Sequence, residues 1–109
     1  MANNNTPSAI ESLWREHCAA PFPEGMAGEE AAGICVVSLD TFTAGCIETF
    51  LSRGGKLDAQ RVEVLRSCYR DLAIVVAEMK GEPRRYFARL EKLARAILQA
   101  VADGPDRSC

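Results

Sequence analysis

One histidine, five cysteines and an aspartate set in an apolar run are the residues of this 109-residue chain best suited to chemistry. His17 stands beside Cys18, a pair that could ligate a metal or supply a base next to a thiol. A zinc site needs three or four ligands, usually in tight pairs, and the chain has no C-x₂₋₄-C or H-x₃₋₅-H spacing. With a single histidine, neither a Ser-His-Asp nor a Cys-His-Asn order can be drawn with any specificity. No catalytic residue, metal ligand or cofactor is therefore assigned. His17 falls on the apolar side of a first helix with Ile10, Leu13 and Trp14, which suits a packed, hydrogen-bonded core histidine. Cys35, Cys46 and Cys68 fall on apolar arcs and read as small core residues, because free cysteine is among the most buried types. Cys109 reads as an exposed thiol on a tail.

Asp40 is the sharpest anomaly. On a helical projection it lies inside an apolar arc beside Val36, Val37, Ala44 and Ile47. A buried carboxylate without a partner either costs several kcal/mol or takes up a proton, so it needs a donor. Antiparallel packing sets it level with residues near 71 and 92, which makes Arg89, Tyr69 and Arg70 the candidates. Asp40 then serves either as an anchor of helix register, the favoured reading, or as the polar centre of a small pocket lined by Asp40, Tyr69, Tyr86, Arg89 and His17. The run Ile34-Cys35-Val36-Val37 followed by Ser38-Leu39-Asp40-Thr41 resembles, loosely, the D-x-D motif of haloacid dehalogenase-type phosphatases. Ser38 stands where the nucleophilic aspartate would be, and the chain is too short for that α/β domain. The likeness is rejected.

These residues must be positioned by helices. Ser8-Ala9-Ile10-Glu11 has the form of a capping box, so a short helix begins near Ser8 and stops before Pro21. Pro21 to Gly25 is a rigid connector. A second helix runs from near Gly28, where Glu29 and Glu30 suit its positive end, to Arg53, and Gly54-Gly55 closes it. Asp58 caps a third helix reaching Lys80, with Gly81 as its C-cap. Pro83 sits in the first turn of a fourth, which ends before Gly104-Pro105. Val62, Leu65, Tyr69, Leu72, Val76 and Met79 form one seam; Phe87, Leu90, Ala94, Ile97 and Val101 form another. Strands would compete at Ile34 to Val37 and at Ile74 to Val76, but both lie inside longer helical patterns, and helix is preferred.

The second helix is the informative element. Between Ala31 and Ser52 its only charges are Asp40 and Glu48, and its apolar arc covers more than half the circumference. It is expected to be the shielded central helix, with helices three and four on its flanks and helix one across its first half. Its remaining face holds Ser38, Thr41, Gly45, Thr49 and Ser52, a candidate interaction face. Gly45 there costs about 1 kcal/mol relative to Ala in a helix interior, so a second subunit packs closely on it, helix one does, or the glycine is simply tolerated, the last two together being preferred.

Composition bounds the partners. Apolar residues make up 48% and charged residues 26%, with a net charge of −2, which gives no global attraction to nucleic acid or to an anionic membrane. An aspartate in the middle of the longest charge-poor run, Ala31 to Ile47, would cost a membrane helix roughly 2.5–3.5 kcal/mol. An odd cysteine count without a secretory leader points to a cytoplasmic protein with reduced thiols. Residues 1–50 carry seven acidic residues and one basic; residues 83–102 carry Arg84, Arg85, Arg89, Lys92 and Arg95 against Glu91 alone. That basic face reads as solvated, or as meeting the acidic half of a second copy, ahead of nucleic-acid binding.

The expectation is an all-α antiparallel bundle of three long helices and a short N-terminal one. It occupies residues 8–103, between flexible tails at 1–7 and 104–109. The leading function is a non-enzymatic helical interaction or regulatory module that self-associates or meets a protein partner. A small-ligand binder or minor enzyme around Asp40 ranks second, and a nucleic-acid binder third.

Overall fold

In the computed structural model, which describes residues 6–102, helix α1 spans Pro7–Cys18. Its cap is Thr6 rather than Ser8. The Thr6 side chain accepts from the Ala9 N–H at 3.1 Å, and Pro7 occupies the first turn, where its fixed φ is already helical. Of the tails expected at residues 1–7 and 104–109, Thr6 and Pro7 belong instead to the cap and first turn of α1; residues 1–5 and 103–109, including Cys109 and the Gly104-Pro105 stop, lie outside the described residues.

The second helix corrects the expectation. α2 spans Val36–Ser52, and the residues before it form a two-strand antiparallel pair, β1 Glu30–Ala31 and β2 Ile34–Cys35. The turn between them is Ala32-Gly33, with φ of +52 and +80. Two consecutive left-handed residues make a tight hairpin turn, and no right-handed helix passes through them. The helical periodicity read across 28–35 was therefore accidental. α3, Ala59–Glu78, starts as expected, with the Asp58 carboxylate accepting from the Arg61 N–H. Met79 is extended, and Gly81, at φ +65, opens α4 (Gly81–Ala102) instead of closing α3.

All four helices contribute to one hydrophobic core, and α4 rather than α2 is its centre: α1, α2 and α3 each pack against it. The α4 seam is buried at Phe87, Leu90, Ala94 and Ile97, joined by Tyr86, Leu93 and Ala96. On α3 the buried row is Leu65, Cys68, Leu72 and Val75. Along the α2–α3 pairing, Cys46 lies against the Arg61 carbonyl, and Leu39 shares a hollow with Cys68 and Asp71. Numbers fall on one helix as they rise on the other, so the pair is antiparallel.

α2 buries only Val36, Leu39, Thr43, Cys46, Ile47 and Phe50, a one-sided seam at helical spacing. Val37 and Phe42, counted in a continuous apolar arc by sequence, face outward, and so does Cys35. A 17-residue helix lying on the flank of α4 is covered on one side only. The expectation of a shielded spine fails here.

Candidate functional site

Four of the five expected pocket residues meet where α1, α2 and α4 converge. The Tyr86 hydroxyl donates to Asp40 Oδ1 at 2.7 Å, and Arg89 Nε donates to His17 Nδ1 at 3.2 Å. The His17 and Tyr86 rings lie 4.4 Å apart, Trp14 stacks on His17 at 5.8 Å, and Phe22 meets Tyr86 edge-on. The Arg89 guanidinium sits 5.8 Å from the Tyr86 ring centre. The donor to Asp40 is thus Tyr86, not Arg89, Tyr69 or Arg70. One turn of α4 holds both Tyr86 and Arg89, which directs one to the carboxylate and the other to the imidazole. Tyr69 packs half-buried against the core from α3 and joins neither hydrogen bond. Asp40 is half-buried, so its second oxygen can meet water.

The electrostatics follow from burial. His17 is 2% exposed, and desolvation, then the positive charge of Arg89, lowers its pKa to about 4. The ring is neutral at pH 7, and because Nδ1 accepts from Arg89, its proton must reside on Nε2. That Nε2 is buried with no hydrogen-bond partner. Tyr86 is pushed well above the ordinary tyrosine range by burial, then by its bond to Asp40 and the carboxylate's charge. Its proton stays in place, and it acts as a donor. The Cys18 thiol nearby is exposed and raised, by desolvation and then by Glu48 and Asp40, so it is a poor nucleophile. The cluster holds a neutral base, a protonated phenol and a thiol without activation. Among the described residues no three His, Cys, Asp or Glu side chains come together as metal ligands.

A second feature lies on the outer flank of α2 and α3. Phe42 is 60% exposed, and Val64, which lines the same two hollows, is exposed beside it; Val37 and Ile74 are exposed as well but line neither hollow. The two hollows flank Phe42. One, of about 370 Å³, is lined by Thr41, Phe42, Gly45, Cys46, Thr49, Gln60, Arg61 and Val64. The other, of about 350 Å³, includes Cys35, Ser38, Leu39, Phe42, Val64 and Asp71. The candidate interaction face therefore lies outward: Ser38, Thr41, Gly45 and Ser52 are exposed and Thr49 is half-buried. A Cβ built on Gly45 would meet nothing within 4 Å, so helix one does not explain this glycine. The sequence reading missed Phe42, Val64, Gln60 and Arg61 as members of the face. Periodicity assigns large apolar residues to the core and carries no sign that separates an outward Phe42 from an inward Phe50.

Of the basic set on α4, Arg84, Arg85, Lys92 and Arg95 are exposed, and Arg85 pairs with Glu82 at 3.1 Å. Arg89 leaves that face for His17. Cys46 and Cys68 are buried as expected. Cys35 is an exposed N-cap residue whose thiol is lowered by the Ser38 hydroxyl and then by the Ser38 N–H. No described helix is long and apolar enough to cross a membrane. Compared with family models, curated proteins and solved structures, the chain matches none.

Proposed function

We propose that this protein is a non-enzymatic interaction module whose working surface is the α2–α3 flank around Phe42. The observation that carries the reading is the exposure of Phe42 beside Val64, between the two hollows that open along α2 and α3. Large apolar side chains left in solvent together at a groove mark a binding face. The polar cluster supports the same reading from the other side. Asp40 is paired with Tyr86, His17 accepts from Arg89, and the two bonds tie α1, α2 and α4 together as an anchor of register. A ligand-binding reading rests on one observation, the unpartnered Nε2 of His17, and ranks second.

Placing a photo-activated benzoyl-phenylalanine at position 42 in cells tests the proposal. Discrete adducts are expected at position 42 and not at position 84 on the far helix. Adding Val64→Glu, which charges the face without touching the core, should abolish them. Adducts at 84 with none at 42 would refute the reading.

A further inference from the structure

The occupant of this face can be identified more closely, on the assumption that it is the working surface. The outward row of α2 is a palindrome about Gly45: Thr41 and Thr49 stand four residues to either side, and Ser38 and Ser52 seven. A two-fold axis at Gly45, lying in the plane of the face, maps such a row onto itself with the helices antiparallel. Gly45 then meets Gly45 of the second copy, Thr41 meets Thr49, and Ser38 meets Ser52. An isologous dimer has this property, because every contact is made twice.

Shape follows the same operation. Phe42 projects three residues before Gly45, and the 370 Å³ hollow that begins at Phe42 extends past Gly45 to Thr49, Gln60 and Arg61. The two-fold carries the Phe42 of each copy over the hollow of the other. Charge follows too. Arg61, which shares Asp58 with Arg53 and so leaves that end net positive, borders the hollow at one end of the face, and Asp71 the hollow at the other. Antiparallel pairing brings the end holding Arg61 against the end holding Asp71. The C-terminal half of the row can also be dried at little cost. The Thr49 hydroxyl donates to the Gly45 carbonyl at 2.8 Å and the Ser52 hydroxyl to the Thr49 carbonyl at 3.2 Å, so neither would be orphaned by burial. Gly45 allows the two backbones to approach closely. We infer that the partner is a second copy of this chain, docked antiparallel through α2 about Gly45, with Phe42 of each seated in the hollow between α2 and α3 of the other.

Sedimentation of the full chain in reductant, from micromolar to several hundred micromolar, is expected to show a monomer–dimer equilibrium. Phe42→Glu should shift it toward monomer by roughly tenfold or more, equivalent to about 1.4 kcal/mol, with helical circular dichroism unchanged. Cross-linking fixes the orientation. With Cys18, Cys35 and Cys109 changed to serine, a mixture of Ser38→Cys and Ser52→Cys chains should form the mixed disulfide in excess over either homodimer. Preferred 38–38 linkage would overturn the antiparallel two-fold. A monomer at every concentration would overturn the dimer; if the position-42 probe still gave adducts of another mass, the interaction reading would survive with a different partner. No adduct at 42 would end both.

Discussion

Burial against Trp14 and Tyr86, then the charge of Arg89, holds His17 at a pKa of about 4 against an ordinary 6.5. The folded chain therefore resists a proton that the unfolded chain takes up. Above pH 6.5 both states carry a neutral imidazole and the group contributes no pH dependence. Below it the unfolded state binds more protons, and stability falls until the folded pKa is passed, by about 3 kcal/mol in all. His17→Gln keeps an acceptor for Arg89 and removes the titration. Urea midpoints at pH 7 and pH 5 should differ less for this variant than for the parent; equal losses would mean that His17 is not the group responsible. This residue was legible in the sequence, because a single histidine on an apolar stripe must be buried and paired. Its pairing with Arg89 was not. Which donor reaches it depends on the turn of α4 that aims Tyr86 and Arg89 at different targets, and chain arithmetic resolves helix levels only to within a turn.

At the scale of elements, Gly45 separates two roles. A Cβ there meets nothing within the monomer, so Gly45→Ala should gain helix propensity of up to about 1 kcal/mol in the isolated chain. Thermal melts in a Phe42→Glu background, the variant expected to weaken the proposed dimer, are the measurement. A loss of stability there would show a steric demand on Gly45 within one chain. The helices themselves were largely readable: Asp58, Pro83 and the seam of α4 set their elements within a residue or two. The β1–β2 hairpin was not, for a physical reason. Its turn uses Ala32 in a left-handed conformation that costs an L-residue roughly 1–2 kcal/mol, and alanine is otherwise the best helix former. The glutamates and apolar residues on either side fit a helix equally well, so local preference pointed the wrong way and tertiary packing decided.

Across the whole molecule, the same error displaced the centre of the fold. Reading residues 28–53 as one helix made α2 too long and gave it an apolar girdle. Once its first eight positions belong to a connector and a hairpin, its remaining seam is one-sided and α4 takes the middle. The surplus apolar surface then lies on the outside, on a body measuring 44 × 27 × 22 Å. If that surface is covered by a second copy, association and folding are linked, and the melting temperature must rise with protein concentration. The expected outcome is a concentration-dependent Tm for the parent and a constant one for Phe42→Glu, read by calorimetry at low and high concentration. A parent Tm that is flat over that range would argue against linkage.

Helix α1 enters the bundle through residues 19–35, whereas α3 is joined to its neighbours by residues 53–58 on one side and 79–80 on the other. Phe22 pins that connector to Tyr86 and Phe87, so what holds α1 in place is chiefly the helix's own packing on α4 and α2. The helix buries only Ile10 and His17 fully, and its departure would open the imidazole and Arg89 to water together. The least deeply seated helix of the molecule is thus also the one that keeps its one histidine dry, and acid loosens that hold from the inside.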